Sequence, residues 1–498
     1  MKWLFGVVAP MLLTSAICLL APIPAHAADI KNLDLGKSTQ VWFAEDHTVP
    51  IVALVAALPA GSAYDPAAKQ GLAAFAASLI DEGAGGLDSK AFHEALADRA
   101  IQFRAGVERD YMTISIITLT ENLPEAMHLL QLALTRPRFD ADAVTRVRTQ
   151  TIQGLQQAES EPPTVARRNF ARIFFNGHPY GHASDGDPAS IAAITADDLR
   201  GFARSHWVRG GLKISIAGDI TAPVAVKLIA DTFKPVLAGT PPPPPPIGKL
   251  GQPGIHVTPM AVPQPSVMFG LPGIMRHDPD FIPGYVANYI LGGGGFSSRL
   301  MDEVRVKRGL TYGIETQLSS FNRASIMVGS VATRADAVNQ TISVVRETLG
   351  QFAASGATQT ELDDAKTYLT GSFPIAFASN AGIAAQLSAF QRQGLDIGYV
   401  ARRNSLIQAV TLDDVKRVAK RLYDPARLTV VVAGTPVEGR PVTERPRAPV
   451  RPAPPSVANA PGAVTASPTA PPAGAPRATP PAKPAVKPTV PPVIKPRT

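Results

Sequence analysis

The histidines of this sequence have the residue types for metal chemistry, but their surroundings argue against it. His178 and His182 have the spacing of a metal-binding pair, yet Pro179 and Gly181 prevent their imidazoles from sharing one helical face. His93 stands beside a glutamate on a predicted amphipathic helix, where a solvated helix face is the simpler interpretation. We therefore expect no metal site at either place.

A different chemistry is possible for Arg305 and Tyr312, which are seven residues apart in EVRVKRGLTYGI. A guanidinium fork and a phenol both donate hydrogen bonds to an oxygen that gains negative charge. Spacing alone favours a surface arginine followed by a strand aromatic. No nucleophile elbow is visible, and the one cysteine, Cys18, lies in the N-terminal apolar segment, so serine- or cysteine-dependent hydrolysis is not supported.

The elements that would position these residues occur twice. Residues 195–218 align without a gap on residues 411–434, at a constant offset of 216. Each copy predicts a helix capped by a threonine, Thr195 or Thr411, with an acidic first turn and a following strand that ends at glycine. We infer the duplication of one αβ unit.

The remaining pattern predicts an α+β fold made of two homologous αβ sandwich domains. In each half antiparallel strands come first, and helices then pack on one face of the sheet. The first half has predicted strands at 49–61, 102–107 and 111–119 and predicted helices at 69–82, 89–100, 122–134 and 140–158. The second half has predicted strands at 265–273, 312–318 and 324–331 and predicted helices at 280–291, 297–306 and 335–354.

Two proline-rich segments divide the chain. Six consecutive prolines at 241–246 predict a stiff, extended linker over 237–253 between an N-terminal domain (28–236) and a C-terminal domain (254–436). Residues 437–498 are rich in Pro and Ala and poor in large apolar side chains, which predicts a disordered tail.

The N-terminus has the pattern of an export signal. Lys2 precedes an apolar run, and Ala25-His26-Ala27 supplies small residues for cleavage near Ala27, so residues 1–27 are predicted to be a signal peptide and the protein periplasmic. An uncleaved membrane anchor remains the alternative, because the apolar run approaches spanning length.

The net charge of +8 lies mostly outside the predicted domains. From Glu438 to Thr498 there are nine Lys or Arg against two Glu, which gives +7, and Lys2 accounts for the remaining unit. The predicted domains are thus about neutral, which argues against nucleic acid as a partner. The tail is instead predicted to contact an anionic envelope polymer or lipid, or to act as a solubilising spacer.

Several runs resemble the pitrilysin/insulinase family of zinc metallopeptidases, the inverzincins. They are GSAYDPAAKQGLAAFAASLIDEGAGGLDSKAF, HPYGH at 178–182 and GGGGFSSRLMDEVRVKRGLTYGI, and the similarity extends over residues 35–436. The resemblance implies paired domains like those of mitochondrial processing peptidase, which close around a peptide like a clamshell.

Active members of that family carry His-x-x-Glu-His on the helix after the first strand. The corresponding places are Ala74, Ala77 and Ser78, and Gln153 or Gly154 takes the place of the third ligand, a glutamate. None of these residues binds zinc or accepts a proton during catalysis. The resemblance thus implies a chain that binds no metal or other cofactor and is inactive alone, with zinc only on a partner chain.

In the family, an Arg and a Tyr at the spacing of Arg305 and Tyr312 hold the substrate backbone and hydrogen-bond the scissile carbonyl. The sequence is identified as a bacterial two-chain type member. It is predicted to be the non-catalytic, substrate-binding subunit that supplies Arg305 and Tyr312 to a zinc-bearing sister chain in peptide hydrolysis. The alternative is a non-enzymatic envelope scaffold or peptide-binding protein on the same fold.

Overall fold

The computed structural model describes residues 29–35 and 39–437. The predicted signal peptide at 1–27 and the predicted tail from residue 438 onward therefore lie outside the described residues. Within the described ranges, no helix is both long enough and apolar enough to cross a bilayer.

The first half is built around a six-stranded sheet in the order β1-β2-β8-β3-β7-β6, in which only the β2–β8 pair is parallel. Its strands, together with a separate two-stranded ladder β4–β5, are β1 (Ile30–Asp34), β2 (Thr39–Glu45), β3 (Ile51–Leu58), β4 (Gly83–Ala84), β5 (Leu87–Asp88), β6 (Gln102–Val107), β7 (Met112–Leu119) and β8 (Leu212–Gly218). Its helices are α1 (Leu72–Ala77), α2 (Ser89–Ala97), α3 (Leu123–Thr135), α4 (Ala141–Ala158), α5 (Pro162–Phe175), α6 (Pro188–Ala193), α7 (Ala196–His206) and α8 (Ala222–Phe233).

The second half is built around a five-stranded sheet in the order β11-β12-β10-β13-β9, in which only the β13–β9 pair is parallel. Its strands are β9 (Gly254–Thr258), β10 (Ser266–Pro272), β11 (Thr311–Ser320), β12 (Ser325–Thr333) and β13 (Thr429–Ala433). Its helices are α9 (Phe281–Asn288), α10 (Val338–Ser355), α11 (Gln359–Gly371), α12 (Asn380–Arg392), α13 (Tyr399–Gln408) and α14 (Leu412–Leu422). The predicted α+β fold is confirmed.

The duplicated unit has the same local structure in both halves. Thr195 and Asp198 form a capping box at the start of α7, where the Asp198 N–H donates to Thr195 Oγ1 at 3.2 Å. Thr411 and Asp414 form the equivalent box at the start of α14, at 3.1 Å. Each box satisfies orphan N–H groups of a first helical turn, and each helix leads into a strand of its sheet. The predicted caps are confirmed.

One helix from each half packs against the sheet of the other half. α12, from the second half, packs against β3 and β8 of the first sheet, and α5, from the first half, packs against β10 and β13 of the second. Ser215 Oγ donates to the Ala384 carbonyl at 2.6 Å, and Gln391 Nε2 donates to the Ile214 carbonyl at 3.1 Å. The sequence predicted helices on one face only. The structure adds a helix from the other half on the second face.

The predicted helix at 69–82 is much shorter in the structure. α1 spans only Leu72–Ala77, and the Leu79 and Ile80 N–H groups then donate to carbonyls three residues earlier, at 3.2 and 3.3 Å. Such bonds tighten the chain into turns. Leu79 and Ile80 are buried in these turns, so their apolar pattern resembles that of a continuing helix.

The predicted helices at 280–291 and 297–306 are also modified. α9 ends at Asn288 and continues as a π-helical turn, Tyr289–Gly293, and a second π-helical turn spans Met301–Val306. The Lys307 N–H donates to the Asp302 carbonyl at 2.9 Å, a bond across five residues. π-helical turns are frequent at functional sites, and this one carries Arg305.

The proline-rich connection is extended and lies against the protein. Pro241 and Pro244 are buried, whereas the prolines between them are exposed, which matches the three-residue period of polyproline II. Arg323 Nε donates to the Pro244 carbonyl at 3.0 Å, and His178 Nε2 donates to the Pro245 carbonyl at 2.9 Å. The segment is therefore attached to both halves.

Candidate functional site

A buried carboxylate fixes the beginning of α1, the helix that carries the motif places. The N–H groups of Gly71 and Ala73 both donate to the Asp65 carboxylate at 2.8 Å. Gly71 has φ +86°, and a Cβ there would lie 2.6 Å from the Gly186 nitrogen, so the turn requires glycine. Burial raises the pKa of Asp65 to about 7, although the two N–H donors oppose that shift.

The three motif places on α1 carry no group that could bind zinc. Ala74 is half-buried and Ala77 is buried, so both methyl groups serve packing. Ser78 is exposed, and its hydroxyl donates to the Phe75 carbonyl at 2.8 Å, so it is occupied by its own helix. These residues do not fit a zinc ion, because a zinc site needs imidazole, thiolate or carboxylate ligands.

The third predicted ligand place lies on α4, which passes beside α1. The Arg148 guanidinium carbon of α4 lies 5.7 Å from the centroid of the Phe75 ring. Gln153 and Gly154 are exposed, and a Cβ on Gly154 would meet no atom within 4 Å. In residues 29–35 and 39–437, no group of three His, Cys, Asp or Glu side chains is arranged to hold a metal ion.

Two of the remaining histidine candidates, His178 and His93, have ordinary structural partners, whereas the buried Nδ1 of His182 has no hydrogen-bond partner among the described residues. His178 donates from Nε2 to Pro245, and its Nδ1 accepts the Tyr180 N–H at 3.1 Å, so both ring nitrogens are used. His182 lies beyond a short 3-10 turn. His93 Nε2 lies 3.7 Å from Asp81 Oδ2, and this carboxylate raises the pKa of His93 to about 9.

Arg305 lies on the π-helical turn and stacks on an exposed ring. Its guanidinium carbon is 4.5 Å from the centroid of the Phe296 ring, and Phe296 is 60% exposed. A cation over an aromatic face is held in place while its N–H groups remain free. Within the described part of the chain, Arg305 forms no ion pair and its side chain donates no hydrogen bond.

Tyr312 projects from the edge strand β11 into solvent. The pairing of β11 with β12 is irregular between Thr311 and Ile314, and such a bulge re-aims side chains. The Thr311 hydroxyl fixes this irregularity by donating to the Ala332 carbonyl at 2.7 Å. Tyr312 is 84% exposed, and its phenol has no hydrogen-bond partner among the described residues.

Comparison with known protein families identifies the family of this chain. A profile described as Insulinase (Peptidase family M16) matches residues 40–186, and one described as Peptidase M16 inactive domain matches residues 193–369. The chain belongs to peptidase family M16. The predicted resemblance is confirmed, and the two M16 profiles match consecutive parts of the chain.

Individual M16 relatives cover most of this chain. The "Non-peptidase homolog YmxG" of Helicobacter pylori is 25% identical over 425 residues, which is 84% of this chain and 97% of the relative. The "Uncharacterized zinc protease YmxG" of Bacillus subtilis is 21% identical over 404 residues, which is 79% of this chain and 96% of the relative. The M16 relatives of this chain thus include one named a non-peptidase homolog and one named a zinc protease.

A solved structure shows the same fold. The peptidase M16 inactive domain from Pseudomonas fluorescens superposes with a TM-score of 0.79 and 29% identity, over 83% of this chain and 100% of that one.

The first sheet of this M16 chain also has an unpaired edge strand beside α1, the helix that carries the motif places. β6 is the last strand of the first sheet, so one row of its backbone groups is unpaired within the described residues. α1 packs against β6. Gln102, Arg104 and Gly106 are exposed along it, whereas Phe103 is buried. An open edge of this kind accepts an extended peptide as an additional strand.

Sequence reasoning missed two buried carboxylates that organise the site. Asp65 lies seven residues before the first residue of α1 and caps that helix. The only sequence feature that could have indicated this cap is an aspartate directly before Pro-Ala-Ala. Asp110 contacts Tyr180 and the backbone of Asn322. Because Asp110 and Asn322 are far apart in sequence, no local pattern could have indicated that contact.

Proposed function

We propose that this chain is the non-catalytic, substrate-binding subunit of a periplasmic two-chain M16 peptidase, in which a sister chain carries zinc. The proposal rests on the positions of the Arg305 and Tyr312 side chains and on their lack of hydrogen-bond partners among the described residues. Arg305 is half-buried and stacks on the exposed Phe296 ring, Tyr312 projects from a bulged edge strand, and neither side chain has a hydrogen-bond partner among the described residues. Polar side chains with a purely structural role are usually hydrogen-bonded or ion-paired within the protein.

The chemistry of the pair fits a carbonyl oxygen that gains charge. The guanidinium of Arg305 offers parallel N–H donors, and the Tyr312 phenol offers one O–H donor. Stacking on Phe296 limits the orientations of the guanidinium, so less entropy is lost when it binds. Donors oriented in advance toward the developing oxyanion are effective because they do not reorganise during the reaction.

The substrate class follows from the open edge of β6. An extended peptide paired with β6 would gain main-chain hydrogen bonds whatever its sequence, and its alternate side chains would face α1 or solvent. Backbone pairing of this kind predicts unstructured peptides as ligands, with weak dependence on sequence.

A second function uses the same edge without hydrolysis. On this alternative the chain is an envelope scaffold or peptide-binding protein that needs no zinc-bearing partner. The open edge of β6 favours it, as does similarity to a relative named a non-peptidase homolog. The basic tail would then hold the protein near anionic envelope polymer.

Co-purification under mild conditions separates these two functions. The full-length protein is isolated from its own host, bound zinc is measured, and accompanying chains are identified by mass spectrometry. We expect a zinc-bearing M16 chain with an intact His-x-x-Glu-His motif, at a fixed ratio, and hydrolysis of an unstructured peptide. Recovery of the protein without zinc and without peptide hydrolysis would contradict the subunit proposal and favour the scaffold.

A further inference from the structure

A cavity of about 600 Å³ lies where the two halves meet. Its walls come from the turn between β6 and β7, from β11, from α9, from the end of α12 and from Lys213 on β8. Cavities of 300–1,000 Å³ are typical of sites for small molecules. Neither α1 nor the pair Arg305 and Tyr312 lines this cavity.

Two of the carboxylates that line the cavity are already engaged. Glu108 forms an ion pair with Arg392, whose Nη1 lies 2.5 Å from Glu108 Oε2. Asp110 accepts hydrogen bonds from Tyr180 and from the Asn322 backbone. A third carboxylate, Glu315, is exposed.

Besides Arg109, whose Nη1 donates to the Tyr180 carbonyl, two cations that line the cavity have no carboxylate partner. The Lys213 ammonium donates to Gln40 Oε1 at 3.3 Å, and Arg276 Nε donates to Gln393 Oε1 at 2.8 Å. No carboxylate of the described residues lies within 4 Å of either cation. Burial lowers the pKa of both groups, because each is partly removed from water without a counter-charge.

Arg276 is held in a fixed orientation at the cavity wall. Its guanidinium carbon lies 4.2 Å from the centroid of the Phe281 ring and 4.8 Å from that of the Tyr399 ring. An arginine between two aromatic rings has its edge available for a bidentate contact with a carboxylate.

Two polar atoms in the same wall are buried without a partner. Asn288 is 5% exposed and Thr316 is 4% exposed. Asn288 Nδ2 donates to the Thr316 carbonyl at 3.1 Å, but Asn288 Oδ1 and Thr316 Oγ1 have no hydrogen-bond partner among the described residues. Both atoms are fully buried, so a ligand in the cavity would reach them only after a local shift of the wall.

The rest of the wall is amphipathic, with Tyr111, Tyr285, Tyr289 and Leu318. The geometry points to a binding site for a small organic carboxylate with an apolar body. Lys213 and Arg276 bind the carboxylate, and the tyrosines pack on the apolar body. The site is independent of the proposed peptidase partnership.

Calorimetric titration of the full-length protein tests this site. The probes are N-acetyl-tyrosine and N-acetyl-tyrosine amide, which differ only in the carboxylate, with inorganic phosphate as a third ligand. We expect the carboxylate to bind at least about tenfold more tightly than the amide, the ratio that one hydrogen bond to a charged group gives. Equal affinities, no binding of either probe, or tighter binding of phosphate would overturn the assignment.

Matched variants locate the site. Lys213→Met and Arg276→Gln are each expected to lower the carboxylate affinity about tenfold, whereas Lys213→Arg retains most of it. Lys249→Met, at an exposed lysine of the proline-rich segment, should leave it unchanged. Thermal unfolding of each variant shows that it is folded. Unchanged binding by folded Lys213→Met and Arg276→Gln would place the probe elsewhere and overturn the proposal.

Discussion

The Asn322 N–H donates a hydrogen bond to Asp110 Oδ2 at 2.9 Å, which joins the β11–β12 turn of the second half to the β6–β7 turn of the first. The other carboxylate oxygen accepts the Tyr180 hydroxyl at 2.5 Å, and that hydroxyl accepts the Arg323 N–H at 3.1 Å. One buried side chain thus connects HPYGH with both turns.

Removal of this carboxylate is expected to destabilise the fold. Asp110→Ala leaves the Tyr180 hydroxyl and the Asn322 N–H without their acceptor, and each such loss costs about 1–3 kcal/mol. Denaturant unfolding should show the decrease. Asp231→Ala, which removes an exposed ion pair with Lys227, should change stability by less than about 1 kcal/mol. An unchanged midpoint for Asp110→Ala would refute the role given to the network.

Asp65 predicts a pH-dependent stability. Its pKa is about 7 in the folded protein and about 3.9 in an unfolded chain, so the folded state retains a proton that the unfolded state loses. Stability relative to Asp65→Asn should therefore fall as the pH rises from 4 to 7, by at most about 1.4 kcal/mol per pH unit, and be constant above pH 8. Urea unfolding of both proteins at several pH values measures this. A difference that does not depend on pH would be inconsistent with the raised pKa.

His93 predicts a pH dependence of the same sign as that of Asp65, but in a higher pH range. Its folded pKa of about 9 lies above the unfolded value, so the contribution of its pair with Asp81 is complete below pH 6.5 and is lost as the pH rises to 9. His93→Gln should lower stability at pH 6, by roughly 1 kcal/mol or less because the pair is partly exposed, and have no effect at pH 10. NMR titration of the imidazole gives the pKa directly; a midpoint near 6.5 would exclude the pairing.

Two glycines should respond to alanine in opposite directions. A Cβ on Gly292 would lie 2.4 Å from Thr316 Oγ1, so Gly292→Ala should displace β11 or the glycine run and lower stability. A Cβ on Gly154 meets no atom, and Gly154→Ala should raise stability by about 0.5–1 kcal/mol because it sits inside a helix. Thermal unfolding compares the two, and stabilisation by Gly292→Ala would contradict the close approach.

The structural features that could be predicted from the sequence are those that depend on a local pattern of residues. The duplicated unit, both threonine caps and most strands followed from periodicity and from Thr195 and Thr411. The exchange of α5 and α12 between the halves could not be predicted, since it depends on packing between distant segments. The π-helical turn under Arg305 was read as ordinary helix, because its hydrophobic spacing differs little from that of an α-helix. The roles of Arg305 and Tyr312 stay a prediction.

The turnover of the two-chain complex with Tyr312→Phe tests the central claim most directly. This chain is combined with the zinc-bearing chain that co-purifies with it, and hydrolysis of an unstructured peptide is measured. Tyr64→Phe, at a half-buried tyrosine whose ring packs edge-on against His206, serves as the control. Loss of one oxyanion donor predicts that kcat falls about a hundredfold or more while the complex still assembles. An unchanged kcat in an intact complex would contradict the claim that this chain completes its partner's active site.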